Sequence, residues 1–244
     1  MTNIKLLFTC PHNGCNPLDK IREKAHLPAG CDEIFTKMND VFASTLTSSI
    51  ANNIENISEK KPYTEIAIID RKYVDHNREK KCALEKSSLR AKRAYLDYHN
   101  GIMLKIEEML PANENGLAFL FDIHGARQEL ITGQPFDVLI GTDEDHSIHA
   151  LTEIDPNVWG SPNGLIRLLQ GKDIVVYPPD PSQTKDPHSL DGGYTIKKYG
   201  SKGKKRLVAI QMEVSRSIRE DRSSREKLAA DMADCIFQFI KPFI

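Results

Sequence analysis

The chain has 244 residues, of which 40% are hydrophobic and 27% are charged, as in an ordinary soluble globular protein. Its 33 lysines and arginines balance 34 aspartates and glutamates, so no global charge points to nucleic acid. No segment reaches the length of a membrane span or has the apolar core and cleavage site of a signal peptide. Five scattered cysteines indicate reduced thiols rather than a disulfide framework. We therefore expect a single cytoplasmic domain over residues 1–244, with its oligomeric state open.

Short apolar runs alternate with amphipathic segments along the chain. Strands are predicted, in chain order, at IKLLFT, EIAIID, LAFLFD, DVLIGT, DIVVYP and RLVAIQMEV. Apolar residues at helical spacing predict helices over 34–54, 91–109 and 228–239. Alternating strands and helices predict an α/β fold in which helices flank a mostly parallel or mixed central sheet.

Polar residues follow three of the predicted strands. His12 lies in a Pro-His-Asn-Gly turn after the first strand, residues 75–78 read DHNR after the second, and Asp122 and His124 end the third. Ligands of open α/β sheets bind at the carboxyl ends of the strands. Residues two apart on a strand point the same way, so Asp122 and His124 suit a histidine metal ligand with a carboxylate beside it. A structural Asp–His hydrogen bond at a strand end would give the same pattern.

The last predicted strand has one apolar face and one polar face. Gln211, Glu213 and Ser215 alternate with valine, isoleucine and methionine side chains. An acid in such an apolar strand needs a partner if it is buried. Glu213 is therefore a candidate for catalysis or for a structural ion pair.

Two other features could serve a substrate. Arg78 offers a planar guanidinium group that can bind a carboxylate through two hydrogen bonds, although a surface arginine is the simpler interpretation. The segment 178–206 is rich in proline, glycine and lysine and reads as a long loop, which predicts a lid over a site.

Six segments, taken together and in order, resemble the N-formylglutamate amidohydrolase family. They read CPHNG, DRKYVDHNR, YLDYH, FDIHG, DGGYTIKKYG and AIQMEVS. Within the second segment, Arg71, Asp75, Asn77 and Arg78 fall on matching positions, and His99 does so in the third. The fifth segment departs from the family pattern, because Tyr194, Lys197 and Lys198 occupy a region that often carries histidine and arginine.

The resemblance implies a zinc-carboxypeptidase-like fold of the phosphorylase/hydrolase type and metal-dependent hydrolysis of an amide. It implies that His12, Asp32 and His124 bind Zn²⁺ or another divalent metal, with Glu33 as the competitor of Asp32, and that Glu213 is the general base. The implied substrate-binding residues are Arg71, Asn77, Arg78, His99, Gly193 and Tyr194.

The implied substrate is a small N-acylated amino acid with a carboxylate, such as N-formyl-L-glutamate. A carboxypeptidase, a γ-glutamyl-amide hydrolase and a binding protein without turnover are the alternatives. No nucleic acid or membrane partner is expected.

Overall fold

Six strands form one mixed sheet in the computed structural model, which describes residues 3–18, 23–25, 27, 30–31, 36–84, 88–111, 116–126, 135–183, 191–201 and 206–244. The strands are β1 (Asn3–Cys10), β2 (Lys61–Ile66), β3 (Ala118–Ala126), β4 (Val138–Gly141), β5 (Val176–Tyr177) and β6 (Leu207–Ser215). Their order across the sheet is β2-β1-β3-β6-β4-β5. Neighbours from β2 to β6 are parallel, β4 runs antiparallel to β6, and β5 is parallel to β4. The predicted α/β class is confirmed.

Helices cover both faces of this sheet. They are α1 (Ala43–Ser58), α2 (Lys80–Ala83), α3 (Leu89–Met109), α4 (His149–Thr152), α5 (Leu165–Gln170), α6 (Tyr194–Tyr199), α7 (Arg216–Glu220) and α8 (Arg222–Ile240), with 3₁₀ turns at His146–Ile148 and Pro181–Gln183. One apolar cluster joins α1, α5 and α8 to one face, and a second joins α3 and α6 to the other. None of the helices in the described residues has the length and apolar composition needed to cross a bilayer.

The face covered by α3 and α6 changes from apolar to polar toward the carboxyl ends of the strands. Leu7, Leu120 and Ala209 lie side by side on β1, β3 and β6. Two residues further along, Thr9, Asp122 and Gln211 form the next row across the same strands. On β3 and β6 the row after that pairs His124 with Glu213. The parallel register therefore brings the predicted site residues to one edge of one face.

The prediction of a helix over 34–54 is wrong at its beginning. The helix α1 begins at Ala43, after Phe42 adopts a left-handed φ of 63° that ends the preceding irregular segment. Met38 and Val41, which matched the helical spacing, are 57% and 45% exposed. Their apolar spacing continued the pattern of α1 by chance, because tertiary contacts hold residues 36–42 in another conformation.

The second strand lies earlier than predicted. It ends at Ile66, and the remainder of the run EIAIID pairs instead with the loop that follows β1. Asn16 N donates to Ile68 O at 2.9 Å, and Asp70 N donates to Asn16 O at 3.1 Å. Gly14 permits this approach, because a Cβ atom there would lie 2.2 Å from Ile69 O. The end of the predicted strand therefore does not continue β2 but pairs with the loop that contains Gly14 and Asn16.

The cysteine prediction is wrong for one pair. Cys31 and Cys82 form a disulfide with Cα atoms 5.9 Å apart, whereas Cys10, Cys15 and Cys235 are free. Scattered positions suggested reduced thiols, but separation along the chain does not report distance in the fold. The disulfide joins the loop after β1 to the short helix α2, which follows the DHNR stretch.

This disulfide should contribute measurably to stability. Closing a ring between cysteines 51 positions apart constrains the unfolded chain, so we expect Cys31→Ala/Cys82→Ala to lower the free energy of unfolding by about 2–4 kcal/mol. Thiol titration of the denatured, unreduced protein should find three thiols. Cys15→Ala is the control, because that thiol is free and exposed. Five titratable thiols before reduction would contradict the pairing.

Candidate metal centre and active site

Three buried side chains converge on one point at the carboxyl ends of β1 and β3. The Nδ1 atoms of His12 and His124 are 3.1 Å apart, and each lies 3.4 Å from Asp40 Oδ2. Tetrahedral zinc, with ligand bonds of about 2.0–2.1 Å, holds its ligand atoms roughly 3.3 Å apart. The triangle formed by these three atoms therefore has the dimensions of a face of a tetrahedral metal site.

The far nitrogens of both histidines contact carboxylates. His12 Nε2 lies 2.7 Å from Asp75 Oδ1, and His124 Nε2 lies 2.8 Å from Asp122 Oδ2. An ionised carboxylate only accepts hydrogen bonds, so in the neutral form of each imidazole Nε2 donates and Nδ1 presents a lone pair. Two lone pairs 3.1 Å apart repel unless a cation or a proton lies near both. Such a carboxylate behind each histidine is typical of metal ligands, and the donor set fits a divalent ion.

Asp75, which contacts His12, also binds two arginines. Its Oδ2 atom accepts hydrogen bonds from Arg71 Nε at 3.1 Å and from Arg78 Nε at 2.8 Å. Burial would raise the pKa of Asp75, but its interactions with His12 and with the positive charge of Arg71 outweigh burial and hold the pKa well below its usual value. Asp75 is therefore ionised, as its role behind His12 requires.

The carboxylate of the triangle comes from Asp40, which was not among the predicted ligands. Both Asp32 and its competitor Glu33 lie outside the described residues. The backbone of Asp40 is fixed by a hydrogen bond from its N–H to His12 O at 2.9 Å, and Gly125 N donates to Asp40 Oδ2 at 3.1 Å. Burial opposes ionisation, but the neighbouring His12 and His124, with the charge of Arg71, outweigh it and lower the pKa of Asp40.

A signal for Asp40 was present in the sequence. Asn39 and Asp40 are residue types that commonly precede a helix, and they stand four and three residues before Ala43, the first residue of α1. The erroneous extension of that helix to residue 34 concealed the signal.

Glu213 lies across the β3–β6 ladder from His124 and is 6% exposed. Burial raises the pKa of Glu213 to about 7, against the opposing positive charge of His124. Gln211 Nε2 donates to Glu213 Oε1 at 3.0 Å, and Gln211 Oε1 accepts from Gly193 N at 2.6 Å. The carboxyl group is thus oriented by a side-chain amide and can gain or lose a proton near neutral pH.

The residues predicted to bind substrate fall into two groups. Asn77 lies near the histidines, with Nδ2 3.3 Å from His124 Nε2, and Arg71 and Arg78 surround Asp75 as described above. His99 and Tyr194 instead contact each other through their rings, with centroids 5.7 Å apart. Burial, with the charge of Lys198, lowers the pKa of His99 to about 3, so this ring is neutral at physiological pH.

The segment 178–206, predicted as a lid, is only partly covered by the described residues, since 184–190 and 202–205 lie outside them. Its helix α6 packs on the sheet through Ile196 and Tyr199. Thr195 N donates to Asn77 Oδ1 at 2.7 Å, which ties the beginning of that helix to the site. The lid stays a prediction.

The fold and its site define an α/β protein with a His–Asp–His cluster at the carboxyl ends of parallel strands. No family model matches the sequence, and no curated protein sequence matches it. Among solved structures, the chain matches N-formylglutamate amidohydrolase from Ralstonia eutropha with a TM-score of 0.65 and 15% identity, over 99% of this chain and 96% of that one.

A gene product of Agrobacterium tumefaciens matches with a TM-score of 0.54 and 12% identity, over 98% of this chain and 91% of that one. At such identities the likeness establishes the fold. The resemblance to N-formylglutamate amidohydrolase that the sequence suggested is therefore confirmed for the fold.

Metal binding should release a proton from the histidine pair. Burial opposes protonation of His124, but the charges of Asp122 and Glu213 outweigh it and raise the pKa of His124 well above its usual value. A metal ion needs the neutral imidazole, so we expect Zn²⁺ to displace this proton and to bind more weakly as the pH falls. Calorimetry of Zn²⁺ binding in buffers of different ionisation enthalpy measures the release.

The control for this experiment is His146→Asn, which alters an exposed histidine away from the site. That variant should release the same number of protons as the wild type. A heat of binding that does not depend on the buffer would contradict the expected displacement.

Proposed function

We propose that this protein is a metal-dependent hydrolase that cleaves the amide bond of a small N-acylated, carboxylate-bearing substrate such as N-formyl-L-glutamate. The observation that carries the proposal is the triangle of His12, Asp40 and His124, with the buried carboxyl group of Glu213 one strand away. The fold shared with a solved N-formylglutamate amidohydrolase supports the same reaction class.

His12, Asp40 and His124 would hold Zn²⁺ or another divalent ion, since mixed imidazole and carboxylate ligands suit zinc. A divalent ion there supplies a Lewis acid that polarises a carbonyl group and makes water acidic enough to lose a proton near neutral pH. Asp75 and Asp122 keep the two imidazoles in the required tautomer.

Glu213 is the proposed general base. Its pKa of about 7 lets it accept a proton from the attacking water and then give that proton to the leaving amine nitrogen. Gln211 fixes one of its oxygens by donating to Oε1, which keeps the carboxyl group in one orientation. The proton therefore moves between water and amine through one side chain.

The substrate side of the site is proposed to be built around Arg78. Its Nε atom donates a hydrogen bond to Asp75, which fixes the orientation of the guanidinium group. A guanidinium group can bind a carboxylate through two parallel hydrogen bonds. Arg71 and Asn77 would assist from the same loop. Gly193, Tyr194 and His99 would line the acyl side, next to α6.

The direct test combines metal removal with a substrate panel. Protein as purified, chelator-treated protein and protein resupplied with Zn²⁺ should be assayed on N-formyl-L-glutamate, other N-acyl amino acids, a dipeptide and a γ-glutamyl amide. We expect hydrolysis of an N-acyl amino acid that is lost with the metal and restored by Zn²⁺. Preferred cleavage of the dipeptide or the γ-glutamyl amide would replace the substrate assignment. Binding of an N-acyl amino acid without turnover would indicate a binding protein.

The variant Glu213→Gln tests the proposed base. It keeps the shape of the side chain but cannot accept the proton, so kcat should fall by about 10²–10⁴-fold. Zinc content and melting temperature should stay near the wild-type values, because Glu213 is not proposed as a ligand. The control is Glu220→Gln, which changes an exposed glutamate on α7. A metal-loaded Glu213→Gln enzyme with normal kcat would show that the base is another residue.

Arg78→Lys tests the carboxylate contact. Loss of the planar fork should weaken kcat/KM by roughly 1.5–3 kcal/mol, the size of a charge-assisted hydrogen bond. Esterifying the substrate carboxylate should harm the wild type by a similar factor and the variant much less. Zinc content must be measured in parallel, since Arg78 also contacts Asp75. Equal sensitivity of both proteins to esterification would exclude Arg78 as the binding residue.

A further inference from the structure

The segment Asp40–Phe42 contains the proposed metal ligand Asp40 but belongs to no helix or strand. It lies between the loop after β1 and the beginning of α1, and Val41 and Phe42 are 45% and 40% exposed. Phe42 is in the left-handed region, which is unfavourable for a residue other than glycine. Contacts from elsewhere in the chain must therefore hold Asp40 in position.

Two arginines from the region after β6 supply such contacts. Arg219 on α7 donates from Nη1 to Val41 O and from Nε to Val214 O, the latter at 3.0 Å. The guanidinium group of Arg225 lies over the ring of Phe42 at 4.5 Å and donates to Arg219 O. Arg219 and Arg225 thus connect Val41 and Phe42 to the end of β6 and to the helices that follow it.

Arg219 also lies against the backbone that binds Asp40. A Cβ atom on Gly125 would come within 2.2 Å of Arg219 Cζ, so the guanidinium group covers this glycine directly. Gly125 N is the donor to Asp40 Oδ2. Arg219 is 4% exposed, and its guanidinium group thus touches both the carbonyl after Asp40 and the residue that binds the Asp40 side chain.

We propose that Arg219 is a positioning residue that sets the metal affinity of the site by holding Asp40 through Val41 and Gly125. This inference rests on the proposed function, because it takes Asp40 as a ligand. Among the described contacts, no hydrogen bond or ion pair joins Arg219 to the three ligand side chains, although its positive charge also interacts with Asp40. Arg219 holds Asp40 from two directions, through the carbonyl group of Val41 and through Gly125 on β3. Residues that orient metal ligands typically change metal affinity by about 10–100-fold when they are replaced.

The test measures Zn²⁺ affinity by competition with a chromogenic chelator, together with the melting temperature of the metal-free protein. Arg219→Gln should bind Zn²⁺ about 10–100-fold more weakly than the wild type. Arg216→Gln is the matched control, because Arg216 is on the same short helix but is exposed and pairs only with Glu220 in the described contacts. Its Zn²⁺ affinity should equal that of the wild type.

Each outcome decides the inference. A folded Arg219→Gln protein with wild-type Zn²⁺ affinity would overturn it. Should that variant not fold, Arg219→Lys decides, since one ammonium group cannot replace two diverging donors; its affinity should fall several-fold, and an unchanged affinity would overturn the inference. If the wild type itself binds no Zn²⁺, the proposed function fails as well, so the two failures are distinguishable.

Discussion

The arrangement at the carboxyl ends of the strands depends on the burial of one charged group, the carboxylate of Asp75. Its side chain is fully buried, and its oxygens accept hydrogen bonds from His12, Arg71 and Arg78. A buried charge without such partners destabilises a fold, and removing one member of a buried ion pair costs about 3–5 kcal/mol. The contacts that orient the first histidine are therefore the same contacts that make this charge tolerable inside the protein.

The second histidine, His124, also contacts a carboxylate, that of Asp122, and the parallel register sets the neighbours of both residues. Thr9 on β1 and Asp122 on β3 share one row, and Thr9 Oγ1 donates to Asp122 Oδ1 at 2.5 Å. The other oxygen of Asp122 contacts His124, which lies beside Glu213 in the next row. Polar residues thus begin in the same row on neighbouring strands, and the site continues the apolar face covered by α3 and α6.

Local periodicity explains what the sequence predicted and what it did not. The alternation of a strand correctly placed Asp122 and His124 on one face, and their 2.8 Å contact confirms it. Asp40 was missed because apolar residues before α1 happened to continue its helical spacing, whereas contacts with Gly125 and Arg219 hold that segment in an irregular conformation. The antiparallel direction of β4 and the disulfide depend in the same way on contacts between distant segments, which the pattern of one sequence does not display.

The beginning of α6 connects the side of the site proposed to face substrate with the side proposed to move the proton. The backbone amides of Gly193 and Thr195 donate to the side chains of Gln211 and Asn77 at 2.6 and 2.7 Å. Each such bond contributes about 0.5–1.5 kcal/mol. Gln211 uses its other end to donate to Glu213. Because one amide side chain makes both contacts, a displacement of the backbone at Gly193 would also change the orientation of Glu213. The two proposed roles, substrate binding and proton transfer, are therefore coupled through Gln211.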